Sequence, residues 1–301
     1  MDHVAYDREP PRTLTALVVA FGGWIDAGRA ATGAVRHLIR DLDAERVASI
    51  DAEEFFVLTQ ERPEVRLRAD GEREIHWPRS EFFAWRPDDD REGVLLFCGP
   101  EPHQRWRTYT TAFLDVAERC GVKRIVSIGA LLASAPHTRP IRVTGRCTEA
   151  SVRSLLEAWG IYRVPTYEGP TGISSVILDA AGRRGIEHVG FMGQAPHYLP
   201  DTENPAAIEA LVSYAARLLR LNPDMSSFAE SVREFRTQVD RAVARDRATR
   251  EHVRQLEQQY DAAAGEEPQQ LPEGEVDSEK LMRELQDFLR KQREGGGGSA
   301  S

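Results

Sequence analysis

Short apolar runs that alternate with amphipathic helical segments are the feature that most constrains the fold of this chain. The first run, residues 14–21, ends in a glycine-rich turn, and the apolar residues over 31–42 then recur every three or four positions. That spacing predicts a helix, and a strand, a tight turn and a helix in this order are how a parallel sheet begins. Four more apolar runs follow, at residues 47–58, 94–97, 124–128 and 188–192. The sequence therefore predicts an α/β fold, with a three-layer α/β/α domain over residues 14–222.

The residues outside this domain have other patterns. Residues 1–13 are polar and contain two adjacent prolines, which predicts a flexible arm. Over residues 223–261, apolar side chains recur in alternating steps of four and three, which predicts one long heptad-patterned helix. The remaining segments are predicted as an acidic linker at 262–276, an amphipathic helix at 277–294 and a flexible tail at 295–301.

The net charge of −9 is concentrated near the C-terminus. Residues 261–294 contain ten acidic and five basic side chains, so this segment alone carries −5. The rest of the chain has no cluster of Lys and Arg, which argues against nucleic acid as the main partner. No apolar run approaches the roughly 18 residues of a membrane span, and three widely spaced cysteines are typical of reduced thiols. We therefore expect a cytoplasmic protein that binds neither membranes nor nucleic acid.

Polar residues lie in the loops after the predicted strands, which is where open α/β sheets bind ligands. They include the carboxylate of Asp26, two potential proton carriers in His137 and His197, and a guanidinium group. Helix N-terminal amides in two of these loops could bind an anion. The candidate pocket residues are Gly23, Asp26, Gly28, His137, Thr138, Arg139, Thr171, Gly172, His197 and Tyr198. Alternatively, these polar side chains bond the backbones of long loops and only fix their shape.

The motifs of a catalytic centre are incomplete in this sequence. Residues 172–176 contain Gly-x-Ser around Ser174 but lack the final glycine of the Gly-x-Ser-x-Gly hydrolase motif. Cys98 ends a predicted strand with no histidine placed to lower its pKa, and the eight histidines show no metal-binding spacing. The sequence therefore predicts no catalytic residue, no metal and no cofactor.

Five stretches in order resemble the proteasome assembly chaperone superfamily, in its actinobacterial branch. They are FGGWIDAG at residues 21–28, CGPEP at 98–102, PHTRP at 136–140, EGPTGI at 168–173 and APHY at 195–198. No single stretch is specific, but the order and spacing of the five are, and the resemblance covers residues 14–294. It implies an α/β/α fold similar to that of purine nucleoside phosphorylases, with no established enzymatic activity.

Members of this superfamily in eukaryotes and archaea assist the assembly of proteasome core particles. They recognise their target through exposed C-terminal residues of a hydrophobic-Tyr-x type. This sequence ends in Gly-Ser-Ala-Ser, which departs from that pattern, so the resemblance does not imply the same recognition mechanism here.

Taken together, the residues and the resemblance favour a non-enzymatic scaffold or assembly-chaperone-like protein that is linked to proteasome assembly. We expect a homo-oligomer, a trimer by analogy with the phosphorylase-like fold, that binds proteasome subunits. Two alternatives stay open. One is an enzyme or sensor that binds a nucleoside-like or phosphorylated small molecule in the loop cluster. The other is a coiled-coil adaptor in which the α/β domain is only a platform.

Overall fold

An eight-stranded mixed sheet lies at the centre of the computed structural model, which describes residues 3–88 and 92–262. The strands are β1 (Val4–Tyr6), β2 (Leu14–Gly22), β3 (Glu45–Ile50), β4 (Glu64–Leu67), β5 (Arg73–His76), β6 (Ser80–Trp85), β7 (Gly93–Pro100), β8 (Arg124–Ala133), β9 (Val143–Cys147) and β10 (Glu187–Pro196). The helices are α1 (Ala30–Asp41), α2 (Trp106–Cys120), α3 (Ala150–Ala158), α4 (Ile173–Arg183), α5 (Pro205–Leu219), α6 (Phe228–Val243) and α7 (Arg247–Ala262), and a 3-10 turn (Ala27–Arg29) precedes α1.

The strands of the large sheet follow the order β1-β3-β6-β7-β2-β8-β10-β9. The four central strands, β7, β2, β8 and β10, are parallel, whereas β1, β6 and β9 run antiparallel to their neighbours. The carboxyl ends of the central strands therefore meet at one edge of the sheet, which we call the carboxyl edge. The prediction of an α/β fold with a largely parallel sheet is confirmed.

Each face of the sheet carries its own apolar core. On one face, α2 and α4 pack on an aromatic cluster that includes Phe21, Phe97 and Phe113. On the other face, α1, α3 and α5 pack on smaller aliphatic side chains such as Val18 and Val126. The predicted three-layer α/β/α arrangement is thus confirmed.

Strands β4 and β5 form a separate two-stranded hairpin, as the Asp-Gly turn signal in the sequence predicts. Val65 pairs with Ile75 and Leu67 pairs with Arg73, so these four side chains share one face of the hairpin. The turn contains Gly71, whose φ of +84° is accessible to glycine without strain. All eight strand residues except His76 are exposed.

The C-terminal heptad pattern gives two helices, α6 and α7, where the sequence predicted one long helix. Helix α6 ends at Val243, and α7 begins at Arg247. The carboxylate of Asp246 accepts hydrogen bonds from the backbone N–H and the hydroxyl of Thr249, at 2.6 and 2.8 Å, and so caps the start of α7. The polar centre of the heptad pattern is therefore a turn, and both apolar faces contact the same domain.

The N-terminal segment also differs from its prediction as a flexible arm. Val4–Tyr6 forms β1, which pairs with β3 in the register Val4 to Ile50. The guanidinium of Arg119 lies 4.3 Å from the centre of the Tyr6 ring, a cation–π contact that helps to hold this strand. The predicted linker from residue 263 on, the amphipathic helix at 277–294 and the tail at 295–301 lie outside the described residues. Within the described part of the chain, no helix has the length and apolar character needed to cross a membrane.

Candidate functional site

The ten candidate residues lie in loops at or near the carboxyl edge, but the structure divides them into two groups. Gly23, Asp26, Gly28, Thr171 and Gly172 form one group around the N-termini of α1 and α4. His137, Thr138, Arg139, His197 and Tyr198 form the other group, beneath α6 and α7. Among the described residues, no hydrogen bond or ion pair joins the side chains of one group to those of the other.

Asp26 holds the start of α1. Its carboxylate accepts hydrogen bonds from the backbone N–H of Thr32 at 3.0 Å and from the Thr32 hydroxyl at 2.6 Å. Burial raises the pKa of Asp26, and the two bonds from Thr32 oppose that shift by stabilising the charged form. With its hydrogen bonds used in this way, Asp26 fixes the shape of the loop after β2.

Gly28 lies where the loop after β2 meets the loop after β10. Its N–H donates to the carbonyl oxygen of Pro200 at 3.2 Å, and its φ is +60°. A Cβ atom here would lie 3.1 Å from Cβ of Asn204 and 3.3 Å from the carbonyl oxygen of Thr202. A glycine is therefore required by the close approach of the two loops.

Glu101, which sequence reasoning missed as a site residue, occupies the N-terminus of α4. Its Oε1 accepts a 2.7 Å hydrogen bond from the backbone N–H of Ile173. A Cβ on Gly172 would lie 2.9 Å from the same oxygen, so this carboxylate fills the place where a bound anion was predicted. Thr171 is exposed, and Gly172 is the N-cap residue of α4.

His137, His197 and Tyr198 form a buried polar layer at the carboxyl edge. The Tyr198 hydroxyl donates to Nδ1 of His137 at 2.7 Å and accepts from the His137 backbone N–H at 2.8 Å. Nε2 of His137 donates to the carboxylate of Asp240 in α6, at 3.1 Å. Because burial lowers the pKa of His137, the neutral imidazole is favoured, and the bond to the Asp240 carboxylate places its proton on Nε2.

His197 joins this layer to α7. Its Nδ1 donates to the carbonyl oxygen of Ala133 at 3.2 Å, so its Nε2 carries a lone pair. Nε2 of His252, in α7, lies 3.2 Å from this atom and donates its proton to it. Two facing histidines of this kind are stable as a neutral pair, because two charged rings would repel one another.

Thr138 and Arg139 are bound by acidic residues of α7. The hydroxyl of Thr138 donates to Glu257 at 2.5 Å. Arg139 donates two parallel hydrogen bonds to Asp261, at 2.9 and 2.8 Å, and these bonds lower the pKa of Asp261. Nearby, Arg142 donates to the carbonyl oxygen of Tyr260 at 2.6 Å and lies over its ring.

An apolar layer completes the contact between the domain and the two helices. Its members are all buried and come from the loop after β10 and from both helices: Tyr198, Leu199, Phe235, Val239, Ala242, Val243, Val253 and Leu256. The helices α6 and α7 therefore cover this part of the carboxyl edge, and we call the pair the C-terminal cover. The guanidinium and imidazole groups that could have bound a ligand bind the chain's own helices instead.

Acidification should weaken attachment of the C-terminal cover. Burial is the largest cause that lowers the pKa of His137, His197 and His252. Asp240 and Glu257 oppose the shift at His137, Arg236 adds to it, and His252 adds to the shift at His197. A depressed folded-state pKa means that the contribution is complete above the unfolded value of about 6.5 and is lost as the pH falls below it.

Hydrogen exchange of α6 and α7 between pH 7.5 and 5.0 measures this effect once the intrinsic pH dependence of exchange is removed. We expect opening to increase by up to about tenfold per pH unit for each proton taken up. His252→Gln should reduce that slope, whereas His76→Gln, in the distant β4–β5 hairpin, should leave it unchanged. If the slope is the same in wild type and in His252→Gln, His252 does not contribute to this pH dependence and the prediction is wrong.

Two cavities of about 440 Å³ each lie elsewhere, beside β6 and the β4–β5 hairpin. Neither is lined by any of the ten candidate residues. Cys98 lines the cavity beneath the hairpin. Burial raises the pKa of its thiol to about 11, which keeps it protonated at neutral pH. Arginines in the same lining form ion pairs with glutamates, Arg66 with Glu64 and Arg79 with Glu81. Among the described residues, no group of three His, Cys, Asp or Glu is arranged to hold a metal ion.

Comparison with known proteins gives one family match. The model of the PAC2 family matches residues 20–243, which ends at the last residue of α6 and leaves α7 outside the matched range. No protein with a curated description matches the chain.

Several solved structures are similar over most of the chain. A PAC2 family protein of Streptomyces avermitilis is 33% identical, with a TM-score of 0.70 over 79% of this chain and 99% of that one. A proteasome-assembly chaperone homologue of Mycobacterium tuberculosis is 35% identical, with a TM-score of 0.69 over 79% and 100% of the two chains. An archaeal proteasome activator of Pyrococcus furiosus is 19% identical, with a TM-score of 0.64 over 80% and 99%, a likeness that shows the fold alone.

Proposed function

This chain belongs to the PAC2 family, and from that premise we propose that it is an assembly-chaperone-like protein that binds other protein chains and catalyses no reaction. One observation carries the proposal. The part of the carboxyl edge where an α/β protein would bind a small ligand is occupied by the chain's own α6 and α7. The polar residues there bind the chain's own helices, and this favours a protein-binding scaffold over an enzyme.

The partner we propose is a set of proteasome subunits. This rests on the likeness to the Mycobacterium tuberculosis protein, which is described as a proteasome-assembly chaperone homologue and is 35% identical. We also propose that the protein acts in the cytoplasm as a homo-oligomer, with a trimer as the expected stoichiometry. The five loop residues beneath α6 and α7 then serve recognition only indirectly, because they set the position of these two helices.

Reconstitution with the proteasome α and β subunits encoded by the same genome tests this function. We expect the protein to co-elute with free subunits or half-particles, to be absent from finished core particles, and to raise the rate of core-particle formation at least about twofold. A size-exclusion profile and the peptidase activity of the assembled particles report these two effects. Serum albumin at the same concentration controls for crowding, which contributes only weakly. If the protein neither co-elutes with a subunit nor changes the assembly rate, the proposal is wrong.

A further inference from the structure

Arg146 lies in β9, the last strand of the sheet, and its side chain points inward over the neighbouring strand. A long arginine side chain at the end of a sheet usually extends its charged group into water. Here the three heavy atoms nearest to a Cβ on Gly190, in β10, would be Nε and Cγ of Arg146, at 3.0 and 3.2 Å, and Oγ of Ser127, at 3.2 Å. The guanidinium group therefore lies over β10 and close to the hydroxyl of Ser127.

These three residues form one row across three strands. Arg146 pairs with Gly190 in β10, and Gly190 pairs with Ser127 in β8. Paired residues share a face of the sheet. Ile125, two residues before Ser127, belongs to the core beneath α2 and α4, so the row lies on that face. Because Gly190 has no side chain, the guanidinium group has room in the middle of the row.

No described residue neutralises the charge of Arg146. The side chain is half-buried, yet it makes no hydrogen bond or ion pair with any described residue. Burial lowers its pKa, whereas carboxylates that accept hydrogen bonds raise the pKa of Arg46 and Arg139. An exposed arginine without a partner is hydrated, but a half-buried one loses part of its hydration without compensation. Arg146 therefore differs from the unpaired charges on the surface.

The acidic side chains at the start of these strands cannot serve as its partner. Glu187 in β10 pairs with Arg124 in β8, and both share the opposite face of the sheet with Val126. Arg124 contacts the carboxylates of Glu187 and Glu149. Strand alternation thus separates these carboxylates from Arg146.

Two neutral donors lie beside the guanidinium group. The hydroxyl of Ser127 has no hydrogen-bond partner among the described residues, and its oxygen is not sealed from solvent although the residue is only 8% exposed. His188 lies two residues before Gly190, on the same face, and its ring also makes no hydrogen bond to a described residue. Burial lowers the pKa of His188, and the charge of Arg146 lowers it further, so the ring is neutral and carries one N–H donor.

We propose that Arg146, Ser127 and His188 form a binding site for the carboxylate of a small organic acid. A planar carboxylate accepts two parallel hydrogen bonds from a guanidinium group, and its other lone pairs remain available to the hydroxyl and the imidazole. Its single negative charge matches the single positive charge of the site. A dianion such as sulfate leaves one negative charge unmatched in half-buried surroundings.

The burial of Ser127 selects a small ligand. An oxygen that touches solvent on a residue only 8% exposed is within reach of the end of a small molecule, not of the surface of a folded protein. The site shares no residue with the attachment of α6 and α7. It therefore goes beyond the proposed binding of protein chains, and its test is separate from that function.

Titration of the full-length, deuterated protein with sodium acetate, followed by nuclear magnetic resonance, tests this site. Acetate replaces chloride at constant ionic strength, and the amide signals of Ser127 and Gly190 and the Nε–H signal of Arg146 are followed. We expect these signals to shift together with a Kd of about 1–10 mM. Sulfate should bind at least about threefold more weakly, because of its second charge.

Variants assign the binding to the three side chains. Arg146→Gln should raise the Kd for acetate at least about tenfold, and Ser127→Ala should raise it about threefold to tenfold. Gly190→Ala keeps the charge but places a Cβ 3.0 Å from Nε of Arg146, so it should also weaken binding. Arg107→Gln, which changes an exposed arginine of α2, should bind acetate like wild type.

Three results would overturn the proposal. One is that about 50 mM acetate leaves the signals of Ser127, Gly190 and Arg146 unchanged, since this concentration is well above the expected Kd. Another is tighter binding of sulfate than of acetate, which would exclude a site matched to a carboxylate. The third is unchanged acetate binding in Arg146→Gln, with the amide signals of Ser127 and Gly190 as the readout.

Discussion

Replacing Val239 by Asp is expected to release the C-terminal cover while the sheet domain stays folded. Val239 is fully buried in α6, among apolar side chains from α7 and the loop after β10. A carboxylate buried there without a partner costs several kcal/mol. Local opening is the cheaper response, so exchange in α6 and α7 should rise at least about 100-fold, which corresponds to about 3 kcal/mol.

Hydrogen exchange followed by mass spectrometry resolves this outcome by segment. Amides in β2 and β8 should keep their protection, because the two main cores lie on other surfaces of the sheet. Gln238→Asp adds the same charge one residue away, on the exposed side of α6, and should change nothing. If Val239→Asp lowers protection evenly across the sheet and the helices, the cover is part of a single cooperative unit and the expectation is wrong.

Phe113→Ala is expected to destabilise the whole domain by about 3–5 kcal/mol. Phe113 is fully buried in α2, and its ring centre lies 4.9 Å from that of Phe97 and 5.1 Å from that of Phe82. The substitution removes both aromatic contacts and leaves a cavity under the central strands, which the neighbouring rings fill only in part. A loss of this size is a large fraction of the stability of an ordinary domain.

Urea denaturation followed by tryptophan fluorescence measures that loss. Phe113→Leu keeps most of the volume and should cost about 1–1.5 kcal/mol, so the pair of variants separates the cavity from the lost ring. Thr111→Ala, exposed in the same helix, should shift the free energy of unfolding by no more than about 0.5 kcal/mol. A cost below about 1 kcal/mol for Phe113→Ala would mean that the aromatic cluster does not support the sheet.

The central strands and most helices could be predicted because their signals are local. A buried apolar run or a helical repeat is complete within about ten residues, as at β2 and α2. Strand β1 could not be predicted in this way, because three residues become a strand only by pairing with Ile50 and its neighbours. The break between α6 and α7 was also missed. Its signal, an Asp246 cap three residues before Thr249, is local, but it lies inside a heptad pattern that predicts continuity.

The candidate site could also be predicted only in part, because its residues bind partners that lie far away in the sequence. The sequence identified His137, Arg139 and His197 as polar residues of the carboxyl edge, and they do lie there. Their partners follow about 55 to 122 residues later in the chain: Asp240, Asp261 and His252. No spacing rule connects residues so far apart, so a set of helix attachments was indistinguishable from a ligand pocket. Glu101 was missed for the same reason, because its partner is the backbone of Ile173.

The order of strands in the sheet also governs how this protein is made. Strand β2 is complete at Gly22, but its neighbours β7 and β8 begin only at Gly93 and Arg124. At about 5–20 residues per second, a ribosome needs roughly 4–14 s to add the roughly 70 residues between Gly22 and Gly93. During that interval the apolar nascent strand has no pairing partner, and long-range pairing of this kind is slow and prone to aggregation. We propose this protein as an assembly factor for others, and its own nascent chain is thus expected to need a chaperone during synthesis.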